Sequence, residues 1–313
     1  MNPFYKSALG AIALASASLA SAQSVTLYGR VNLSVESQKA DGQSMTVVQD
    51  NRSRWGIKAS EDLGGGMSAA VQLEAGFNAD TGKAKDASTF WNRRSEVDLN
   101  GSFGTLRLGN FFSEAYFATA DFVSNHNHDT GTSSDAFYAY IGNNANKVAY
   151  RLPTLVQGLS IEVSDSVKET GSTNTYDLAV NYTNGGLNLG LGHEKAGAAD
   201  QTAVRVFYVL GDFGVGGYWQ HDKNAWGVNG GRSNLRFSAM YTLGSSEFHV
   251  NLGSAGKVGD LANSSARQWT LAYNYNLSKR TKVYAFYTSV DDGAAKVYGG
   301  DFRSLALGMR HNF

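Results

Sequence analysis

Residues 24–36 read SVTLYGRVNLSVE, and apolar and polar side chains alternate along them. Val25, Leu27 and Val31 fall on one face, whereas Arg30 and Glu36 fall on the other. Successive side chains of a β-strand point to opposite sides of the sheet, so this period of two predicts a strand with one apolar and one water-facing side. The same alternation recurs along most of the chain, in residues 69–77, 147–152, 159–163, 176–182, 187–191, 235–241, 248–252 and 269–275.

The connections between these segments alternate in length. Short turns rich in Gly, Asn and Asp are separated by longer polar loops. The short turns are residues 62–66, 100–102, 184–186, 211–214 and 276–279, and the longer loops include residues 39–51, 78–90, 167–175, 222–232 and 256–266. About sixteen strands in about eight hairpins are typical of an outer-membrane barrel. The predicted fold class is therefore all-β, a transmembrane antiparallel β-barrel.

The bilayer explains why such a sheet would close on itself. Hydrocarbon supplies no hydrogen-bonding partners, so a sheet that crosses it cannot leave an unpaired edge. The alternative is a soluble β-sandwich or β-helix with one buried face. That fold would show an apolar core between two packed sheets or a compact sequence repeat, and no repeat is visible in this sequence.

The charge balance and the lack of cysteine exclude several classes of function. The 27 Lys and Arg residues match 27 Asp and Glu residues, so no excess basic charge favours nucleic acid as a partner. With no Cys in the chain, a disulfide framework, thiol catalysis and Cys-based zinc sites are all excluded.

The first 22 residues have the pattern of a secretory signal peptide. Lys6 precedes an apolar and small-residue run over residues 7–19, and Ala20-Ser21-Ala22 is a small-residue cleavage signature. We therefore predict a signal peptide at residues 1–22 and one outer-membrane β-barrel domain at residues 23–313, outside the cytoplasm.

Four segments spread from end to end carry a resemblance to a known family. They are SVTLYG at residues 24–29, SRWGIKASEDLGGG at 53–66, FGTLRLG at 103–109 and LGMRHNF at 307–313. With these segments the chain resembles the general diffusion porins of Gram-negative bacteria, in particular the neisserial-type trimeric porins of betaproteobacteria. The resemblance implies passive diffusion of ions and small hydrophilic solutes through a barrel of about sixteen strands, with a folded-in third extracellular loop.

The resemblance also implies partners. It implies a homotrimer in the outer membrane, in contact with its lipid and lipopolysaccharide. Phe313, at the end of an alternating segment, resembles the signal by which the barrel assembly machinery recognises its clients; the alternative is an ordinary final strand.

The longest stretch without alternation, residues 110–146, corresponds to that folded-in loop. Its apolar residues suit a short helix packed against the barrel wall, which would present Glu114 and Asp121 to the lumen. The alternative is a surface loop with solvated acids. The apolar residues concerned are Phe111, Phe112, Ala115, Tyr116 and Phe122.

Basic side chains near the root of this loop are candidates for the pore constriction, because a ring of fixed charge filters ions. Alternation turns Trp55 and Ile57 outward on the second predicted strand, so the residues between them point inward. The apolar residues of the fifth and sixth strands are assigned to the outer face in the same way. Alternation places these basic residues inward: Arg52, Arg54, Lys58, Arg107 and Arg151.

The resemblance assigns the family's constriction arginines to Arg54 and Arg93, facing loop acids. On the fourth strand, however, Arg93 has the same parity as Val97, so alternation alone would turn Arg93 outward and Arg94 inward. Which of the two arginines faces the lumen therefore stays open. The sequence also departs from the family, with Asn110 and Ala149 at positions where Arg is common. We expect a net basic, mildly anion-selective constriction; the alternative is a wet lumen without preference.

Other residues invite a catalytic or metal-binding interpretation. His126, His128 and Asp129 lie within four residues, and His221-Asp222 is a second pair. No nucleophile-bearing motif accompanies them, so we predict no enzyme activity, no catalytic residues, no metal site and no cofactor. A hydrolytic barrel, a substrate-preferring organic-anion channel and a non-conducting structural or adhesin-like barrel remain alternatives.

Overall fold

The computed structural model describes residues 24–124, 136–169 and 173–313, and antiparallel β-strands dominate these residues. The strands are β1 (Ser24–Ala40), β2 (Gln43–Asp50), β3 (Arg54–Gly64), β4 (Met67–Asn78), β5 (Lys83–Ala84), β6 (Arg94–Gly101), β7 (Gly104–Asn110), β8 (Lys147–Arg151), β9 (Leu159–Ser166), β10 (Thr175–Asn184), β11 (Leu187–Ala196), β12 (Ala199–Leu210), β13 (Phe213–Lys223), β14 (Gly231–Leu243), β15 (Ser246–Ala255), β16 (Ala266–Asn276), β17 (Thr281–Asp292) and β18 (Phe302–Asn312). No helix among these residues is long and apolar enough to cross a membrane.

The sheet closes because the first strand pairs with the last. Residues 30–40 of β1 pair with β18 in antiparallel register, while the other edge of β1 pairs with β2 and β3. Gly29 and Phe313 complete this seam by exchanging two backbone hydrogen bonds of 3.0 Å. The Phe313 ring occupies the space that a side chain at Gly29 would need. Over the described residues the sheet thus closes on itself through β1, as a sheet that crosses a bilayer requires.

The described residues form sixteen barrel strands, which confirms the predicted fold. β2 and β3 are two parts of one strand, interrupted at residues 51–53, and β5 is a two-residue strand paired only with the end of β4. The expected polar loop at residues 39–51 is wrong. The turn there is only Asp41-Gly42, because Gln43 to Asp50 continue the pairing with β1. Asp41 and Gly42 both adopt positive φ, which suits a tight hairpin.

The faces of the barrel reverse the usual distribution of polar and apolar side chains. Outward residues such as Val25 and Leu307 are 65% and 67% exposed, whereas the inward Asn32 and Glu36 are fully buried. The inward polar groups satisfy one another: the Ser34 hydroxyl donates to a Glu36 carboxylate oxygen over 2.6 Å, and the Ser304 hydroxyl to the other over 2.7 Å. Apolar side chains exposed all around a barrel fit a hydrocarbon environment.

The two ends of the barrel differ. At one end the strands are joined by tight turns such as Gly185-Gly186 and Gly211-Asp212, and the aromatic residues Tyr208 and Phe213 lie next to them. Phe213 stacks on Tyr241 there, with ring centroids 4.4 Å apart. Longer connections lie at the other end, including residues 79–93, 111–146 and 256–265.

A charged substitution on the outer face tests this orientation. Leu271 lies at the middle of β16 and is 53% exposed to the outside. We expect Leu271→Arg to destabilise the folded barrel in lipid vesicles by about 2–4 kcal/mol, because the charge would meet mid-bilayer hydrocarbon. Leu271→Phe is the matched control and should leave the urea unfolding midpoint nearly unchanged. Equal midpoints for the two variants would contradict the assignment of this face to lipid.

Candidate pore constriction

The connection between β7 and β8 turns inward and packs against the barrel wall. The Ser113 hydroxyl accepts a hydrogen bond from the Ala115 backbone N–H over 3.1 Å and caps helix α1 (Glu114–Tyr116). A π-helical turn, Phe117–Asp121, continues it. Both contact β10 and β11, and the turn also contacts β12. The loop is therefore folded into the barrel, as expected, over the residues that the structure describes.

Two glycines of β11 make room for this helix. Leu189 and Leu191 face outward, so Gly190 and Gly192 occupy inward positions. A β-carbon at Gly192 would lie 2.6 Å from the Ala115 carbonyl oxygen, and one at Gly190 would collide with the Ala118 carbonyl oxygen. The bare backbone allows the helix to lie directly on the strand.

The second half of the loop has its own attachment to the wall. Gln220 of β13 accepts a hydrogen bond from the Ala139 N–H over 2.9 Å and donates to its carbonyl over 3.2 Å. The Phe137 carbonyl accepts from Arg232 over 2.7 Å and from Asn234 over 2.9 Å, both on β14. These contacts fix the returning segment across the lumen from β7.

Tyr138 links the two halves of the loop. Its hydroxyl accepts hydrogen bonds from the Thr119 hydroxyl over 3.2 Å and from the Gln201 side chain over 2.9 Å. Burial raises the pKa of Tyr138 well above its usual range, which further favours the neutral hydroxyl.

A cluster of ion pairs holds the start of the loop. Arg107 is only 4% exposed, and its guanidinium nitrogens lie 2.7 Å from Glu96, 2.8 Å from Glu162 and 2.9 Å from Glu114. Arg151 adds contacts of 2.8 Å to Glu162 and 3.3 Å to Glu114. Because Glu114 belongs to the loop and the other four residues to the wall, this cluster ties helix α1 to β6, β7, β8 and β9.

A cavity of about 780 Å³ lies between the loop and the wall of β3, β4 and β6. Arginines line it on the wall side, and aromatic side chains of the loop line it on the other. The arginines are Arg52, Arg54, Arg93 and Arg94; the aromatic residues are Phe112, Tyr116, Phe117 and Tyr140; the acidic residues are Glu74, Asp121 and Glu194.

Charges on the wall side are arranged in two layers. Arg52 is exposed, and the side chain of Arg54 is 28% exposed. Behind them Glu74 is 7% exposed, with its carboxylate 2.5 Å from the Arg93 guanidinium and 3.8 Å from that of Arg54. Arg94 likewise pairs with Glu96 over 2.6 Å. The arginines are thus nearer to water than the carboxylates that hold them.

Irregular backbone explains how neighbouring arginines reach the same cavity. Arg52 has a φ of 59° at the interruption between β2 and β3. Arg93 lies just before β6, where its N–H donates to the Glu74 carbonyl over 3.2 Å. Alternation therefore holds for Arg94, which faces inward, whereas Val97 faces outward. It does not extend to Arg93, which lies outside the strand.

The structure separates the eight predicted constriction residues into three places. Arg52, Arg54, Arg93 and Asp121 line the cavity together. Arg107, Glu114 and Arg151 form the ion-pair cluster at the root of the loop. Lys58 lies apart on β3, exposed, with its ammonium 5.7 Å from the centre of the Tyr28 ring.

Sequence reasoning did not assign the carboxylates Glu74, Glu96 and Glu162 to the site, although alternation places all three on the inward face. It also did not assign Tyr140, which follows no periodic pattern. His126, His128 and Asp129 lie outside the described residues. Asp222 forms a 2.7 Å ion pair with Arg232, and the described part of the chain holds no group of three His, Cys, Asp or Glu residues placed for a metal ion.

Comparison with known proteins agrees with this geometry. The model of the Gram-negative porin family matches residues 8–295. The chain belongs to the Gram-negative porin family. Outer membrane porin protein 32 of Delftia acidovorans is 28% identical to this porin over 362 aligned positions, which cover 98% of the chain and 99% of the relative. The major outer membrane protein P.IB of Neisseria gonorrhoeae is 27% identical over 363 positions, with 98% and 100% coverage.

A solved structure shares the fold. The anion-selective porin from Comamonas acidovorans superposes with a TM-score of 0.77 at 24% identity, over 93% of this chain and 100% of that one. The family match and the outer-membrane relatives show that this porin resides in the outer membrane and forms a water-filled channel for passive diffusion, which confirms the predicted function and location. Its family and fold are those of a channel rather than of an enzyme.

The close approach of Gly192 to Ala115 predicts how the loop responds when one methyl group is added to β11. Gly192→Ala should push helix α1 into the lumen, lowering the single-channel conductance and destabilising the barrel by about 1–3 kcal/mol through overpacking. Planar-bilayer recording and thermal unfolding measure the two effects. Leu189→Val, on the outer face of the same strand, is the control. A Gly192→Ala pore with unaltered conductance and stability would refute the docking role of this strand.

Removal of the central arginine tests the ion-pair cluster. Arg107→Met would leave Glu96, Glu114 and Glu162 without their common cation, so we expect a loss of about 3–5 kcal/mol in stability and noisier channel currents. Arg280→Met, in a tight turn at the other end, should change neither. Quiet currents and full stability in Arg107→Met would show that the cluster does not hold the loop.

Proposed function

We propose that this porin is a mildly anion-selective diffusion pore whose selectivity arises at the constriction cavity. The single observation that carries the proposal is the layering of charge, with arginines toward the water and carboxylates behind them. The nearer charge dominates the potential that a passing ion meets, because Coulomb interactions weaken with distance and are screened by salt within about 10 Å.

The formal charge of the cavity supports the same sign. Four arginines and three carboxylates stand among the described residues that line it, an excess of one positive charge. In a narrow passage with low-dielectric walls, a small excess of one sign raises the local concentration of counter-ions. Chloride and small organic anions would therefore pass more readily than cations of similar size.

Each predicted residue receives a distinct role in this proposal. Arg52, Arg54 and Arg93, with Arg94 beside them, attract anions, and Asp121 opposes them from the loop. Arg107 and Arg151 hold the loop through Glu114 and contribute to selectivity indirectly, by fixing the width of the passage. Lys58 adds positive charge to the lumen beyond the cavity. No catalytic role is proposed for any of these groups.

The relatives support selectivity for anions in a limited way. The Comamonas acidovorans structure is described as an anion-selective porin. At 24% identity the comparison shows only that the two chains share a fold, so the proposed selectivity of this chain rests on its own arginines.

We also propose the partners and processing that the sequence suggests. Residues 1–22 would be removed as a signal peptide, and residues 23–313 would assemble as a homotrimer in contact with lipid and lipopolysaccharide. An outward aromatic group supports a protein contact on one side of the barrel: Trp55, Phe90 and Trp91 lie 4.7–6.4 Å apart by ring centroids, and Phe90 is 62% exposed. Phe313, exposed at the seam, would be read by the assembly machinery.

Reversal potentials in a potassium chloride gradient test the selectivity. The native pore should prefer chloride, and Arg52→Ser with Arg54→Ser should lower the chloride-to-potassium permeability ratio about fivefold. Fivefold corresponds to a total of about 1 kcal/mol, less than two unit charges would contribute at 4 Å in water, because passing ions stay farther away and salt screens the charges. Lys279→Ser, in the turn between β16 and β17, removes a distant charge and should preserve the ratio. Cation preference in the native pore would overturn the proposal.

A further inference from the structure

We propose that the constriction cavity transiently binds aromatic monocarboxylates as they cross the pore. The inference rests on the anion selectivity proposed above and adds a class of solute to it. It depends on one juxtaposition: arginines on one wall of the cavity face aromatic rings on the other.

The arginine wall is already organised to receive a carboxylate. The Arg93 guanidinium lies 5.2 Å from the centre of the Phe112 ring, with its Nε 2.5 Å from Glu74. The Arg94 guanidinium lies 5.6 Å from the centre of the Phe117 ring. Ring and carboxylate together restrict each guanidinium, so less conformational entropy is lost when it binds an anion. A planar guanidinium fork also matches the two oxygens of a carboxylate.

The aromatic wall presents a ring to the passing solute. Tyr140 is 53% exposed although it lies inside the barrel. Its ring is held in place by Tyr116 and Tyr138, whose centroids lie 4.9 and 5.1 Å away. An exposed but fixed ring offers a stacking surface at little cost in entropy, which a hydrated inorganic anion could not use.

The charge and size of the cavity select among organic anions. An excess of one positive charge among its described lining residues complements a monoanion better than a di- or trianion. A volume of about 780 Å³ accommodates a benzoate-sized solute together with water. The bound solute would place its carboxylate toward the arginine wall formed by Arg52, Arg54, Arg93 and Arg94, and its ring toward Tyr140.

Block of the chloride current by benzoate tests the inference. The full-length mature porin is reconstituted in planar bilayers at neutral pH in potassium chloride, and benzoate, cyclohexanecarboxylate or acetate is added to one side. We expect a saturable block by benzoate, with a half-blocking concentration about fivefold below that of cyclohexanecarboxylate. That ratio corresponds to about 1 kcal/mol for an aromatic pair. Acetate should block least.

Variants at Tyr140 separate stacking from simple narrowing. Tyr140→Leu should raise the half-blocking concentration of benzoate about fivefold. Tyr140→Phe keeps the ring and should leave this concentration at the native value. Tyr275→Leu removes an outward-facing ring and serves as the control. The conductance in chloride alone is recorded for every variant, so that a change in pore size is detected separately.

The outcomes distinguish this inference from the function beneath it. Equal block by benzoate and cyclohexanecarboxylate, or unchanged block in Tyr140→Leu, overturns the aromatic site even if the pore prefers chloride. A cation-preferring reversal potential overturns both.

Discussion

A polypeptide in hydrocarbon has no water to pair with its backbone, and this constraint determines the architecture of the porin. Every strand needs two neighbours, so β1 must meet β18, and Phe313 completes the seam by pairing with Gly29. Closure in turn creates an interior that has to be filled or left open to water. Polar groups such as Glu36 and Asn32 can be buried there because other polar groups of the wall pair with them: Ser304 of β18 donates to Glu36, and Asn32 donates to the Asn51 carbonyl.

The folded-in loop follows from that interior. A segment lying inside a wet barrel cannot rely on apolar burial alone, and this one combines three kinds of attachment. Backbone contact at Gly190 and Gly192, ion pairs around Arg107, and side-chain bonds from Gln220 and Asn234 to the loop backbone act at different places along it. Fixed at several points, the loop gives the passage a defined shape and a defined arrangement of charge.

Alternation alone predicted most of the barrel, because a period of two reports directly on which medium each side chain meets. It failed where the backbone departs from regular strand. Residues 43–50 were expected in a loop because their alternation is weak, and Arg93 could not be placed because it lies just outside β6. The fold of the loop was accessible only through family resemblance, since its contacts with Gly192 and Gln220 join residues far apart in the sequence.

The candidate site shows why facing is not the same as function. Arg54 and Arg107 both have inward parity, yet Arg54 is partly exposed to the cavity and Arg107 is enclosed by carboxylates under the loop. Parity specifies which side of the sheet a side chain faces, whereas its exposure to water depends on whether a distant segment covers it. Since the Glu114 side chain extends from helix α1 to the wall, its charge compensates Arg107 and Arg151 instead of opposing the arginines across the passage. The loop that narrows the pore thereby encloses Arg107 and pairs Arg151 with Glu114, and the electrostatic balance of the cavity passes to Arg52, Arg54, Arg93 and Arg94.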